Sequence, residues 1–224
     1  MNGAAPRVPL GSKTWTSISR APIVLIPVGS FEQHGPHLPL DTDTRIAEAI
    51  ANGAARACEQ CEIGPTITVS SSGEHQDFPG TFSIGRELTE QVLIELCRSA
   101  DWAARVVFVN GHGGNHAAVT SACRILEAEG RPVTSWWPQA AEGDLHAGHV
   151  ETSVILHLAP HLVNVDAMTA GPTPTLRELQ TDGVRTHSPS GVLGDPHGAT
   201  AEAGRDWLDT WVDELVDHIQ TDHR

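Results

Sequence analysis

Positive charge is scarce in this chain. Fourteen Lys and Arg stand against 28 Asp and Glu, a net charge of −14 with the histidines neutral. Such a chain repels phosphate backbones, which argues against nucleic acid as a partner; acidity also suits a site for divalent cations. No run of about 18 apolar residues occurs, so no membrane-spanning helix and no membrane partner are expected. The opening MNGAAPRVPLGSKTW has no apolar core of the kind a secretory signal needs. A cytoplasmic protein is the expectation.

Cysteine is scarce, with Cys58, Cys61, Cys97 and Cys123 the full set. Cys58 and Cys61 form a C-x-x-C near the end of a predicted helix. No second C-x-x-C or H-x-x-H completes a zinc ligand set, so buried or half-buried free thiols are expected. G-x-S-x-G is absent, which excludes a nucleophile elbow, and H-E-x-x-H is absent too. The stretch GHGGN is neither phosphate-binding pattern, because His116 stands where the last glycine of G-x-G-x-x-G would be.

What remains reads as an α/β chain. PIVLIPV (22–28) is an apolar, β-branched run expected as a strand buried on both faces. A helix follows in TRIAEAIANGAARACEQ, with Thr42 or Thr44 near its N-cap. ITVSSS (67–72) is expected as a second strand, opening into the loop SGEHQDFPGTFSIG. ELTEQVLIELCRSADWAA reads as an amphipathic helix, RVVFVN (105–110) as a strand, 116–129 as a helix stopped by Gly130, and PVTSWW (132–137) as a fourth strand. VETSVILHLAP looks helical. Residues 166–200 are rich in Gly, Pro and Thr, which predicts a functional segment or one packed on a neighbouring subunit. Trp207, Trp211, Leu215 and Ile219 lie four apart in a last helix. The alternation of elements argues for a mainly parallel sheet flanked by helices, in one domain spanning 1–224 with residues 1–20 as a loosely ordered lead-in.

Ligands of such sheets gather at the carboxyl ends of the strands. Glu32 and His34 lie two apart just past the first strand, Asp41 and Asp43 stand before a helix, and His112 follows the third strand. His146, His149 and Glu151 come after the fourth. Carboxylate with imidazole is a ligand set for Zn²⁺, Fe²⁺ or Mn²⁺. Singly, each residue has a plain structural role open to it: Glu32 as a solvated loop residue, Asp43 as a helix cap, His112 as a hydrogen-bonded strand end. Their convergence on one edge of one sheet is what points to a metal site.

Four blocks carry a resemblance: PVGSFEQHGPHLPLDTD, GEHQDFPGTFSIG, VNGHGGN and HAGHVETS, in this order over residues 27–155. They resemble the creatininase (creatinine amidohydrolase) family. The resemblance implies a three-layer α/β fold, a homo-oligomer and two divalent ions per subunit, Fe²⁺ or Zn²⁺ with Mn²⁺ admissible. It makes Glu32, His34, Asp43 and His112 ligands, with Asp43 bridging, and His146 a catalytic group. Creatininase carries a Glu two residues after the ligand His, where this chain has Gly114. Glu151 is the candidate replacement, as ligand and catalytic group. Glu74, His75 and Gly113 are candidates for the substrate side, and Trp136 and Trp137 for stacking on an aromatic ring.

Within the family, DTDTRIA, GEHQDFPGTFSIG and GVLGDPHGATA most resemble a peptidase branch. That implies a modified precursor peptide as substrate, cut by metal-activated water ahead of its crosslinked C-terminal Val-Tyr dipeptide. The alternative is hydrolysis of a small cyclic amide or formamide. A third reading is a metal-dependent binding subunit without catalysis.

Overall fold

The computed structural model describes residues 8–139 and 144–221. Its main elements run β1 (Ile23–Val28), α1 (Thr42–Ala57), β2 (Cys61–Ile63), α2 (Arg86–Ser99), β3 (Arg105–Asn110), α3 (His116–Ala128) and β4 (Val133–Trp136). They continue as α4 (His149–Leu158), α5 (Leu176–Asp182), α6 (Val184–His187) and α7 (Ala201–Thr221). The strands pair in the order β2-β1-β3-β4, all parallel. Every residue of β1 and β3 is buried, as their unbroken apolar runs require.

Alternation of side chains along each strand divides the core in two. Ile23, Leu25, Val107 and Val109 pack with Ile46 and Ile50 of α1, Val154 of α4, and Trp211, Leu215 and Ile219 of α7. Val24, Ile26, Val28, Val106 and Phe108 face the other way, onto Leu93 and Ile94 of α2 and Val119 and Leu126 of α3. Full burial of one such side chain is worth about 1.5–3 kcal/mol, so both faces of the sheet hold helices firmly. The result is the expected three-layer α/β architecture.

One expected strand is elsewhere. Residues 67–72 form no ladder beyond isolated bridges, Val28 to Ile67 and Ser70 to Ser83. The second strand is Cys61–Ile63 instead. The physical reason is the serine run: Ser70 Oγ donates to Gly29 O, and Ser71 O accepts from the His112 ring, so this stretch braces the strand ends. Cys58 is the C-cap of α1 and Cys61 opens β2; none of the four cysteines is in a disulfide.

Residues 8–20 include two short 3₁₀ turns, and Lys13 reaches the Glu62 carboxylate at 2.6 Å. The 166–200 segment contains α5, opened by a capping box between Thr175 and Glu178, and α6. No helix among the described residues is long and apolar enough to cross a membrane.

Candidate metal centre

Parallel strands end on one edge. Val28 of β1 and Asn110 of β3 are register partners there, so residues 29–34 and 111–115 leave the sheet side by side. Asp41 stands at the N-cap of α1, but its carboxylate pairs with Arg45 at 2.7 Å rather than capping. Asp43 occupies the first turn, where the helix terminus favours negative charge. A Cβ at Gly111 would lie 2.5 Å from Asp43 O, so only glycine lets the exit of β3 pass that turn.

The predicted residues converge. His34 Nε2 lies 3.0 Å from Asp43 Oδ1 and 3.9 Å from Glu151 Oε2. His112 Nδ1 lies 3.1 Å from Asp43 Oδ2, and its Nε2 is 3.1 Å from Glu32 Oε2. Two donor triads result, Glu32–Asp43–His112 and His34–Asp43–Glu151, and they share Asp43. Glu32 with His34 and His146 makes a third close set. His34 turns Nδ1 to Glu32 O at 3.1 Å, leaving Nε2 for the centre. Ser30 Oγ donates to Asp43 Oδ2 at 2.7 Å.

Both oxygens of Glu32 are buried and neither accepts a hydrogen bond. Buried polar atoms are nearly always paired, so an orphaned carboxylate among imidazoles fits a cation that would take the place of those bonds.

Glu151 enters from the first turn of α4 rather than from the end of a strand. Its Oε2 accepts from Ala147 N at 2.5 Å, and Asp144 Oδ2 accepts from Val150 N at 2.6 Å. Ala147 is held in the left-handed region, φ 53°, between His146 and that helix. His75 also joins the cluster, with Nε2 3.3 Å from Glu32 Oε1. Glu74 Oε1 lies 3.5 Å from His112 Nε2. A Cβ at Gly114 would meet Glu74 Oε1 at 2.2 Å and His112 Nε2 at 2.4 Å. The Glu74 carboxylate therefore occupies the room that a longer side chain at 114 would need.

Gly113 is exposed, with open space where a Cβ would stand. Trp136 and Trp137 line a separate cavity of about 240 Å³ with Ser135, Gln139 and Glu214, and none of the clustered residues forms its wall. Trp137 meets His116 edge-on, ring centroids 4.5 Å apart. His37 Nε2 pairs with Thr152 Oγ1 at 2.9 Å, away from the donor triads.

Burial is the largest influence on the ionisable groups of the centre. It pushes the Glu32 carboxyl up to about 8. It opposes charge on His34, but Asp43, then Glu151 and Glu32, outweigh it and raise that imidazole to about 10. His112 is raised in the same way, burial opposing and Glu32 and Asp43 prevailing. Burial likewise disfavours charge on Asp43, and His34 and His112 overcome it, holding its carboxyl well below the usual range. Glu151, with 22% of its side chain exposed, is still raised to about 7, chiefly by burial. His75 and His146 are lowered, first by burial and then by neighbouring imidazolium charge.

Several site residues went unnoticed in the sequence. Asn115 donates to Gly29 O and to Asn110 Oδ1 and accepts from Ser71 N, tying together three segments of the rim. Gln33 bonds to His75 and to the 188–194 loop. Asn and Gln are ordinary loop residues by composition; only their position inside the ligand-bearing blocks could have marked them.

A parallel sheet with a buried carboxylate–imidazole cluster at its carboxyl edge defines an α/β protein with a candidate metal centre. The chain belongs to the creatininase family: the model described as creatinine amidohydrolase matches residues 12–219. It is 48% identical over 231 residues to a mycofactocin precursor peptide peptidase of Mycobacterium ulcerans (strain Agy99), covering 95% of this chain and 92% of the relative. The protein of the same description from Mycolicibacterium smegmatis (strain ATCC 700084 / mc(2)155) is 46% identical, over 94% and 90%. A crystal structure of creatinine amidohydrolase shares the fold, with a TM-score of 0.80 at 23% identity over 95% of this chain and 96% of that one. A Zn-Zn type mutant and a Mn form of creatininase give TM-scores of 0.77 and 0.75 at 24% identity; they cover 95% of this chain and 96% and 97% of their own.

Proposed function

We propose that this chain is a metal-dependent peptidase that hydrolyses a modified mycofactocin precursor peptide and releases its crosslinked C-terminal Val-Tyr dipeptide. The observation that carries the chemistry is the pair of donor triads sharing Asp43. The substrate rests on relatives at 46–48% identity over most of the chain. Glu32, Asp43 and His112 would hold one ion, and His34, Asp43 and Glu151 the other. Fe²⁺, Zn²⁺ or Mn²⁺ bound there would supply Lewis acidity to polarise a carbonyl and to lower the pKa of water toward about 7.

The chain's own groups do the rest. His146 carries a proton to the leaving amine. Its lowered pKa keeps the ring neutral, ready to accept that proton first. Glu151 joins the ligand role to a place on the reaction side of the cluster. Open space at Gly113 admits backbone, and Glu74 and His75 orient the peptide against the Glu32–His112 edge. Trp136 and Trp137, whose cavity is walled by none of the clustered residues, would stack on the tyrosine-derived ring only where that ring extends beyond the donor groups. The working form is a cytoplasmic homo-oligomer; Leu88 and Val92, four apart on α2, leave apolar surface for a neighbouring copy.

The test is incubation of the purified, metal-loaded chain with modified and unmodified precursor. Release of the C-terminal dipeptide from the modified form alone is expected. Turnover of creatinine or a formamide without peptide release would instead favour the small-amide reading. Bound metal with no amide hydrolysis would leave only a binding subunit.

A further inference from the structure

Gln33 lies between Glu32 and His34, and neither donor triad uses it. Its side chain is buried, and its orientation is set: Oε1 accepts the Gly35 N–H at 2.9 Å, so the amide nitrogen points the other way. That nitrogen lies 2.8 Å from His75 Nδ1, 3.1 Å from His146 Nε2 and 3.2 Å from Gly191 O. It has two hydrogens for three neighbours.

The main chain resolves the choice. His146 Nε2 also lies 2.8 Å from Gln33 O, which can only accept. A bare Nε2 would set two lone pairs against each other at that distance, so Nε2 carries the hydrogen and gives it to Gln33 O. It then cannot accept from the side chain. Gly191 O takes one amide hydrogen and His75 Nδ1, the nearest neighbour, takes the other. His75 must therefore carry its own hydrogen on Nε2, 3.3 Å from Glu32 Oε1. His146 is left with a bare Nδ1, 3.8 Å from the same oxygen.

We infer that Gln33 is a positioning residue that fixes the tautomers of two histidines, His75 through its side chain and His146 through its main-chain carbonyl. One ring thus presents a donor and the other a lone pair to the same edge of the centre. A hydrogen-bond donor to an oxygen and an acceptor for a proton are the two complementary roles that amide cleavage needs. The loop from Ser188 to Leu193 belongs to this device. Gly191 O anchors the amide, and Leu193 pairs with the His146 backbone in both directions, at 2.8 and 3.2 Å. The inference rests on the metallohydrolase reading of the site but not on its substrate.

Long-range ¹⁵N NMR of the histidine rings, on the full metal-free chain without substrate, tests it directly. The wild type should show His75 and His146 both bare at Nδ1, each assigned by its loss in a His75→Gln or His146→Gln variant. In Gln33→Glu, read at a pH high enough to ionise the new carboxyl so that it can only accept, His75 should gain a hydrogen on Nδ1 while His146 stays unchanged. Peptide release should fall about 10–100-fold, the usual effect of losing a partner behind a metal-site residue. A wild-type His75 that carries its hydrogen on Nδ1 overturns the inference, as does an unchanged His75 in Gln33→Glu. Should that variant not fold, Gln33→Met is read the same way: mixed tautomers at His75 support the role, and a single one bare at Nδ1 refutes it. The expected tautomers in a chain that cuts no peptide would uphold this role and count against the substrate, so the two ideas fail separately.

Discussion

Glu32 shows what a single residue can reveal. A buried carboxylate without hydrogen bonds is destabilising by roughly 1–3 kcal/mol or more, and without a cation its escape is to bind a proton. Its rise to about 8 is that escape. Glu151, raised to about 7, holds a proton chiefly because it is buried, whereas His34, raised to about 10 against the effect of burial, holds one because Asp43, Glu151 and Glu32 favour its charge. A cation entering the centre must displace these protons. The sign follows: a raised pKa means the metal-free fold keeps its proton near neutrality, so rising pH removes a competitor. Metal affinity should climb more than tenfold per unit between about pH 6 and 8, since more than one proton leaves. Titration calorimetry in buffers of different ionisation enthalpy would count them. An affinity that does not change with pH would sink this account.

At the scale of elements, α4 brings Glu151 to the centre, and its placement depends on α7. Gly204 is the contact point: a Cβ there would lie 1.9 Å from Ser153 O of α4. Alanine favours a helix by about 1 kcal/mol over glycine, but backbone cannot yield as a flexible side chain can, and overpacking is destabilising by about 1–3 kcal/mol. The clash should win. Gly204→Ala is expected to lower the urea midpoint with an unchanged slope, and to reduce peptide release because Glu151 shifts with α4. A variant more stable than the wild type would show that α7 does not press on α4 there. The sheet and helices were largely legible in the sequence, because β1, β3 and α7 keep simple hydrophobic periods. The misplaced strand at 67–72 was not, because serine side chains there bond the rim rather than extend a ladder. The first four proposed ligands stood in recognisable blocks. Glu151 was reachable only as a candidate, since nothing local to HVETS says where the first turn of a helix will aim.

For the whole molecule, the centre joins residues from β1's exit, α1, β3's exit and α4. A cation that binds the folded chain alone therefore stabilises all of it. At a hundredfold excess over Kd the gain is about 2.7 kcal/mol for one site, roughly 5–10 °C in Tm for a chain of this size. Chelation should lower the unfolding midpoint, and Zn²⁺ or Mn²⁺ should restore it. Asp43→Ala, which removes the group shared by both triads, should unfold at a midpoint that responds little to either treatment and should retain little metal. A metal-sensitive midpoint in that variant would refute the sharing.

The sequence by itself determined the class of fold, the two-sided sheet and the edge at which the polar residues collect. Those follow from hydrophobic period and from the parallel connection of strands, both written along the chain. Only the tertiary structure decided that the Glu32 carboxylate is buried among imidazoles, that Glu74 fills the space beside Gly114, and that Gln33 stands between two imidazoles. Each is a matter of distances between segments far apart in sequence, and such distances exist only once both faces of the sheet are packed.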